Sequence, residues 1–348
     1  MISDTTGSSK RSLLLVTDFP EPPYDAWKLE HHGFDFTMPR RSASGAARKV
    51  RDVWEHRRGL KAEEALRGIS ARADAVVCVL EPCAPVPLQL RRLGLPPYRS
   101  APITAISCWL AETLRSLPAA ERKAAARPYL DLDLLMYFSE SQTGIYVDSG
   151  FREEQLSPIP FGVTVDGAVD AAPGPQHGRD IELLAVGFDR GRDYATLFDA
   201  LRGRDAIVEL YCRPSNLTGL DVPSNVRVHA PVPFSEYSAL LDRAAIVVVP
   251  THELAYPTGQ SVAMEASVRG ACVVATSTEP LREYFTDGST ALLAELHDPN
   301  SLWEKIEVAR QSASLRSHLA ESAREMVLEK YTTDHLWAAV AGQSLLRA

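Results

Sequence analysis

The segment Pro257-Thr-Gly-Gln-Ser-Val-Ala-Met-Glu265 continues directly into Ala266-Ser-Val-Arg-Gly-Ala-Cys-Val-Val-Ala275. This pattern predicts a loop kinked at a glycine, then a helix opened by small polar residues, then a buried strand. A loop that becomes a helix at Gly259, Gln260 and Ser261 presents unpaired backbone N–H groups and the positive end of the helix dipole. The segment therefore predicts a binding site for a phosphate or a diphosphate.

Glu265 adds a hydroxyl acceptor to this predicted anion site. It follows Ser261 by four residues, so the two side chains share one face of the helix, one turn apart. A carboxylate on an otherwise apolar helix is costly unless it has a partner, and the hydroxyl groups of a sugar are suitable donors. An anion site beside a hydroxyl acceptor suits a nucleoside diphosphate, and we interpret the chain as a nucleotide-sugar enzyme.

Bulk composition is that of a soluble globular protein with room for two domains. The chain has 348 residues, of which 45% are hydrophobic and 24% are charged, and its net charge is −8. The negative charge argues against general nucleic-acid binding. No apolar run approaches the roughly 18 residues of a membrane span. The polar start lacks the apolar core of a signal peptide.

The cysteines predict neither a zinc site nor a disulfide framework, since five is an odd number and no CxxC pair occurs. We therefore expect reduced thiols, no metal and a cytoplasmic location. The segment 40–61 is locally basic and weakly amphipathic. It could make a peripheral contact with an anionic membrane, or it could be a solvated helix face.

Short apolar strands alternate with helical segments along the whole chain, which is typical of parallel sheets covered on both faces. The segment 167–178 is rich in glycine, alanine and proline and has no periodicity, so it predicts a linker. The fold class is α/β, with two facing Rossmann-like, doubly wound domains and a cleft between them. The predicted parts are a disordered tail at 1–10, an N-terminal domain at 11–166, the linker at 167–178, a second domain at 179–330, and a C-terminal helix in 331–348 that packs back on the first domain.

Two longer helices are also predicted from the spacing of apolar residues, at Leu110–Ala126 and Ser301–Leu328. The loops singled out below all follow predicted strands. In open parallel sheets, ligands bind at the carboxyl ends of strands near the point where the strand order reverses. This placement favours a site in the predicted cleft.

The second half of the chain resembles the nucleotide-binding domain of retaining GT-B glycosyltransferases of family four, the glycosyl transferases group 1. The matching motifs are Ala185-Val-Gly-Phe-Asp-Arg-Gly-Arg-Asp-Tyr-Ala-Thr-Leu197, Leu210-Tyr-Cys-Arg-Pro214, Val247-Val-Val-Pro250 and Thr258-Gly-Gln-Ser-Val-Ala-Met-Glu-Ala266. The resemblance covers about residues 135–330. It implies a GT-B fold whose N-terminal domain binds the acceptor and whose C-terminal domain binds the nucleotide sugar.

The resemblance implies a pair of basic side chains that stabilise the departing diphosphate. Arg192 matches the second basic position, whereas Phe188 stands at the first, where Arg190 is the candidate substitute. Positioned cations stabilise the charge that gathers on a leaving diphosphate. The Arg-Asp run at 192–193 could instead simply cap the following helix.

The remaining implied contacts involve the nucleotide. Glu265 would bind the ribose hydroxyls, and the other candidates are Gly187, Arg213, Val232, Thr258, Gly259, Gln260 and Ser261. Pro257 stands where the family has a glutamate that contacts the transferred sugar, and Glu253 or His252 could supply the missing acceptor. In the N-terminal domain, His32 is the candidate for a histidine near the reacting carbon. Paired loop histidines can also be plain surface residues.

The expected function is that of a metal-independent retaining glycosyltransferase without a cofactor. A UDP-sugar is the first expected donor, GDP- and dTDP-sugars are alternatives, and the acceptor is a hydroxyl of a small molecule, glycan or lipid. Phe188 and Pro257 leave open a catalytically inactive GT-B relative that acts as a binding subunit. A GT-B sugar-nucleotide epimerase is the other alternative.

Overall fold

The computed structural model describes residues 10–40, 62–165 and 178–347, together with residues 46, 48, 49, 52 and 53. Three sequence predictions fall largely outside this range. The polar tail is described only at Lys10, the linker only at Gly178, and the basic segment 40–61 at Arg40 and five further positions. Within the part of the chain that the structure describes, no helix is long and apolar enough to cross a membrane.

The chain divides into two compact units. The first contains the residues described up to 138, residues 142–160 and the C-terminal segment from Thr333. The second contains residues 139–141 and 161–332. Its longer segment begins at Phe161, ahead of the predicted linker, and a bridge between Val163 and Thr332 joins the two ends of that segment.

The first unit is built on a sheet of six parallel strands in the order β2-β1-β3-β4-β5-β6. The strands are β1 (Arg11–Val16), β2 (Phe34–Thr37), β3 (Ala75–Val79), β4 (Ile103–Ile106), β5 (Leu134–Tyr137) and β6 (Leu156–Pro158). Every residue of β3, β4 and β5 is buried. The sheet is therefore covered on both faces, as the continuous apolar runs predict.

Helices flank this sheet. Those of the first unit are Pro23–His32, which is a 3-10 helix, and Glu63–Arg67, Pro85–Arg92, Leu110–Arg115, Ala119–Ala126, Thr143–Asp148 and Thr333–Leu345. The prediction of one helix over 110–126 was wrong, because Pro118 precedes the second helix and the chain is extended there.

The second unit repeats the architecture with six parallel strands in the order β12-β11-β10-β7-β8-β9. The strands are β7 (Ile181–Val186), β8 (Val208–Tyr211), β9 (Val226–His229), β10 (Ala244–Val249), β11 (Cys272–Thr276) and β12 (Leu292–Ala294). The chain places β8 and β9 on one side of β7 and then returns to place β10 on the other. This reversal is where an open parallel sheet binds ligands. The prediction of an α/β fold with parallel sheets is confirmed.

The helices of the second unit are Tyr194–Leu201, Phe234–Arg243, Gln260–Val268, Pro299–Gln311 and Ala313–Lys330, with 3-10 turns at Pro214–Leu217 and Leu281–Glu283. The predicted continuous helix over 301–328 was wrong. It is interrupted at Ser312, whose hydroxyl accepts a hydrogen bond of 3.2 Å from the amide of Leu315 and so caps a new helix.

The core of the second unit has one apolar layer on each face of the sheet. Leu184 of β7 packs in one layer, whereas Leu183 and Ala185 pack in the other. Helix Gln260–Val268 contributes Val262, Ala263, Met264 and Ala266 to the first of these layers. Because most of this helix is buried, its position relative to the sheet is fixed by packing.

Helix Thr333–Leu345 belongs to the first unit, where it contacts the segment that follows β1. The indole nitrogen of Trp337 donates a hydrogen bond of 2.6 Å to the carbonyl of Tyr24, and Thr333 donates one of 2.8 Å to the carboxylate of Asp25. Tyr24 and Asp25 have φ values of 49° and 55°. These hydrogen bonds stabilise a left-handed backbone that side chains other than glycine rarely adopt.

Candidate functional site

A pocket of about 410 Å³ lies in the second unit, at the carboxyl ends of β7 and β8 and beside helix Gln260–Val268. Five residues predicted from the sequence line it, namely Gly187, Arg192, Val232, Ser261 and Glu265. The pocket is therefore at the strand-order reversal, as the sheet topology requires. It is also lined by aromatic side chains that the sequence did not identify as ligand contacts.

Arg192 is the most informative side chain of the pocket. Its side chain is 4% exposed, and its Nη1 has no hydrogen-bond partner among the described residues. Its Nε lies 3.2 Å from a carboxylate oxygen of Asp189. A buried guanidinium with an unsatisfied N–H donor is costly, so the arrangement indicates an anionic ligand that completes its hydrogen bonds.

Two glycines make room for this guanidinium. Gly187 has φ of 152° and Gly259 has φ of 83°. A Cβ atom added to Gly187 would overlap Nε of Arg192, and one added to Gly259 would lie 2.7 Å from its Nη1. The glycines are therefore required by the close approach of the arginine as well as by the backbone.

Asp189 connects the two loops that hold Arg192. One of its carboxylate oxygens accepts hydrogen bonds from the amide of Gly191, at 2.8 Å, and from the hydroxyl of Thr258, at 3.0 Å. Thr258 was predicted to bind the donor, but its hydroxyl donates to Asp189 and it does not line the pocket. Sequence reasoning missed Asp189. The sequence pattern that could have identified it is an acidic residue after the loop glycine Gly187 and ahead of Arg190 and Arg192.

No side chain of the described residues caps the N-terminus of the helix that begins at Gln260. Gly259 occupies the position before the first turn, and Ser261 and Val262 line the pocket. Gln260 is buried and its Oε1 has no partner among the described residues. The uncapped first turn leaves backbone N–H groups available beside Arg192, which is the arrangement that binds phosphates.

Glu265 lines the same pocket and accepts a hydrogen bond of 2.6 Å from the hydroxyl of Tyr237. Burial raises the pKa of Tyr237 well above its usual value, and the neighbouring charge of Glu265 acts in the same direction. The tyrosine therefore stays a neutral donor and holds the carboxylate in place. Tyr237 is the partner that a carboxylate on this largely apolar helix requires, and nothing in its sequence context identified it.

Phe188 gives the pocket an aromatic wall at the position where the family pattern has a cation. Its side chain is 46% exposed, and the guanidinium of Arg213 lies 4.3 Å from the centre of its ring. Arg213 does not line the pocket itself. The contact is a cation–π pair that covers the aromatic ring.

Three predicted catalytic residues are not brought to the pocket. Arg190 is exposed and absent from its lining. The carboxylate of Glu253 accepts hydrogen bonds of 3.2 and 3.3 Å from the amide of Glu279. His32 belongs to the first unit, where its Nε2 lies 3.3 Å from Asp334.

Asp193, which directly follows Arg192, caps helix Tyr194–Leu201. Its carboxylate accepts hydrogen bonds from the amide and the hydroxyl of Thr196, at 3.0 and 2.7 Å. Burial acts to raise the pKa of Asp193, but the bonds from Thr196 and His297 outweigh it and lower the pKa. Asp193 is therefore an anion in the folded protein. The capping role considered from the sequence is present, and it coexists with the buried Arg192.

A model of the glycosyl transferase-like family matches residues 192–342. An uncharacterized glycosyltransferase of Methanocaldococcus jannaschii is 29% identical over 151 residues, which cover 43% of this chain and 40% of that protein. The chain therefore matches less than half of the length of this curated relative.

Solved structures match nearly the whole chain. Anabaena HepE in complex with UDP has a TM-score of 0.67 and 14% identity, over 96% of this chain and 99% of that one. Sucrose-phosphate synthase from Thermosynechococcus elongatus has a TM-score of 0.66 and 15% identity, over 97% and 99%. The chain therefore has the GT-B fold of these structures.

The glycosyl transferase-like match contains most of the pocket that this GT-B chain forms. It includes Arg192, Val232, Ser261 and Glu265, together with the newly identified Tyr237. It begins after Gly187, so the loop that contains Phe188 lies outside it. Most pocket residues that agree with the expected family pattern thus fall inside the matched region, whereas Gly187 and the aromatic departure at Phe188 fall just before it.

Proposed function

We propose that this chain transfers a sugar from a nucleoside diphosphate sugar, with a UDP-sugar as the first candidate, to a hydroxyl group of a small-molecule, glycan or lipid acceptor. The observation that carries the proposal is the buried Arg192, which lines the same pocket as Glu265 and whose Nη1 has no hydrogen-bond partner among the described residues. A cation for a diphosphate and a carboxylate for ribose hydroxyls are what a nucleotide sugar needs. Structures of HepE hold UDP, UDP with glucose, and UDP-glucose.

In the proposed reaction, the bond between the sugar C1 and the diphosphate oxygen breaks and a bond from the acceptor oxygen to C1 forms. Arg192 and the amides at the start of helix Gln260–Val268 would stabilise the charge on the departing diphosphate without a metal at that position. We propose retention of configuration, with the acceptor attacking the face from which the diphosphate leaves. A diphosphate oxygen would take the acceptor proton.

The base and the ribose would lie on the same side of the diphosphate, with the ribose between the base and the diphosphate. Val232 and Phe188 line the pocket on the side of β7 and β9, and Glu265 lines it from the helix. Glu265 is already oriented by Tyr237, so it needs no rearrangement to accept a ribose hydroxyl. Preorganised groups of this kind raise affinity because less freedom is lost on binding.

The first test is a thermal-shift and calorimetric comparison of UDP, GDP and dTDP with the full chain. A ligand at one hundred times its Kd stabilises the folded state by about 2.7 kcal/mol. We expect UDP to give the largest shift and Glu265→Ala to weaken its binding. Unchanged UDP affinity in that variant would refute the ribose assignment.

The aromatic ring of Phe188 lines the pocket where the family pattern has a basic side chain beside the diphosphate. This difference favours a second candidate function, that of a binding subunit without catalytic activity. The two candidates differ in turnover. Donor hydrolysis or transfer above background with a panel of sugar nucleotides and acceptors supports the enzyme. Nucleotide binding without any turnover supports the binding subunit.

A further inference from the structure

Three side chains from separate loops of the second unit meet beside the loop of Arg192. Asp193 lies between β7 and helix Tyr194–Leu201, His252 follows β10, and His297 follows β12. Each offers one ligand atom, and these three atoms all lie within 4.8 Å of one another. The residues are far apart in sequence, so the fold alone brings them together.

The separations suit a tetrahedral metal ion. Oδ2 of Asp193 lies 2.9 Å from Nδ1 of His297 and 3.6 Å from Nδ1 of His252. Two ligand atoms bound at zinc distances of roughly 2.0–2.1 Å lie about 3.3 Å apart in a tetrahedral site. The two measured separations fall on either side of that value, and all three ligand atoms lie within 4.8 Å of one another, so shifts of the exposed imidazoles would bring them to one ion.

The carboxylate is fixed, whereas the imidazoles can adjust. Asp193 is 3% exposed, and Thr196 donates to it through both its amide and its hydroxyl. The side chains of His252 and His297 are 43% and 54% exposed. Hydrogen bonds that orient a ligating carboxylate are a common feature of metal sites. The exposed histidines leave a fourth coordination position open to water.

The backbone also directs one histidine inward. His297 has φ of 58°, in the left-handed region that residues other than glycine rarely adopt. In this conformation its Nδ1 reaches Asp193. The rings of His252 and His297 lie 5.4 Å apart at an angle of 43°, and both Nδ1 atoms are directed to the same carboxylate.

We infer that Asp193, His252 and His297 bind a divalent transition-metal ion of the zinc class. Two imidazole nitrogens favour zinc, cobalt or nickel over magnesium and calcium, which prefer oxygen ligands. The sequence predicted no metal, because that expectation considered cysteine spacing and the family resemblance. None of the three residues lines the nucleotide pocket, so the inference does not depend on the proposed function.

Such an ion would join three loops and stiffen the one that holds Arg192. The amide of His252 already donates a hydrogen bond of 2.8 Å to the carbonyl of Gly191, and Arg192 pairs with Thr251 in an isolated β-bridge. A metal between Asp193 and His252 would reinforce the same connection. Its role would be structural, adjacent to the pocket but outside it.

The test uses the full chain freed of metal with a chelator and titrated with zinc chloride in the absence of nucleotide. Isothermal calorimetry should give one zinc ion per chain, and zinc should raise the unfolding midpoint. His252→Ala and His297→Ala should each weaken zinc binding at least tenfold and remove the thermal shift. His318→Ala is the matched control, because that histidine is exposed on helix Ala313–Lys330, and its zinc affinity should stay within about twofold.

Two results would overturn the inference. One is the absence of zinc binding by the wild-type chain. The other is binding that persists unchanged in both cluster variants, which would locate the ion at other histidines. Circular dichroism of the metal-free variants checks that they are folded, and cobalt absorption of the wild type gives an independent report of nitrogen and oxygen ligation. Because UDP is absent throughout, either failure leaves the proposed function untouched.

Discussion

Arg192 is held in position before any ligand binds. The glycines on either side of its guanidinium and the carboxylate of Asp189 fix the side chain, while Nη1 lacks a partner among the described residues. Such a cation stabilises an incoming diphosphate without reorganisation. The two arginines of this loop differ in location, because Arg190, two residues before Arg192, is exposed and does not line the pocket.

Replacing Arg192 with alanine should therefore weaken UDP binding about tenfold to a hundredfold, the range expected when a hydrogen bond to a charged group is lost. Isothermal calorimetry measures the effect. Arg190→Ala is the control and should change the Kd by less than about twofold. Equal losses in the two variants would show that the loop, and not the buried guanidinium, binds the diphosphate.

Glu265 allows a prediction about the ribose. Glu265→Gln should weaken UDP binding about tenfold, since a hydrogen bond to a charged acceptor is replaced by a weaker one. The difference between wild type and variant should vanish with 2′,3′-dideoxyuridine diphosphate, which has no ribose hydroxyls to donate. Glu236→Gln, at an exposed position on the helix that carries Tyr237, is the control. A loss that persists with the dideoxy ligand contradicts the assignment.

At the scale of elements, the sequence was most informative where one physical constraint dominates. Strands buried on both faces are continuous apolar runs, so β3, β4 and β10 were visible. Strand β2 has no such run, because it lies at the sheet edge and none of its residues is buried. Strand β12 has only three residues, which are too few to show a periodicity.

In the candidate site too, the sequence predicted some contacts and missed others. Gly259 and Glu265 belong to one continuous segment, so their spacing alone predicted an anion site beside a carboxylate. Tyr237 and Asp189 reach the site from other elements, and a single tyrosine or aspartate has no local pattern that reports its contacts. Those contacts are set by how β7, β8 and the following helices pack, which a linear pattern does not encode.

The junction before helix Gln260–Val268 yields a prediction on stability. In Gly259→Ala, the added Cβ would lie 2.5 Å from Val249 and 2.7 Å from Arg192, in addition to the strain of φ at 83°. We expect a loss of about 2–4 kcal/mol in the free energy of unfolding, measured in urea, together with weaker UDP binding.

Gly288→Ala is the matched control for that variant. Gly288 has φ of 72°, but no atom of the described part of the chain lies within 4 Å of an added Cβ. It should lose about 1–2 kcal/mol from backbone strain alone and bind UDP normally. If both variants lost the same amount, the close packing around Gly259 would contribute nothing to stability.

For the whole molecule, the two units make separable contributions. The first unit depends on Trp337, which is fully buried and donates to the carbonyl of Tyr24. Trp337→Ala should destabilise this unit by about 3–5 kcal/mol, because a large core side chain is lost. Hydrogen exchange should accelerate in the segments around β1 and β3, while the Kd for UDP stays within about twofold.

Phe198→Ala provides the opposite case, since Phe198 is buried in the core of the second unit. In this variant, amide hydrogen exchange should accelerate around β7 and β8. Excess UDP should slow that exchange again, because the ligand stabilises the folded state of the second unit. Acceleration throughout the chain in both variants would show that the units do not unfold separately.

The return of helix Thr333–Leu345 to the first unit has a consequence for synthesis on the ribosome. The second unit needs only residues 139–141 and 161–332, so all of its residues are available before the last helix is made. The first unit contains the earliest residues of the chain, yet its core stays incomplete until Trp337 and Val340 have been translated. The half that is made first is therefore completed last, and its apolar sheet remains incomplete while the second unit is synthesised.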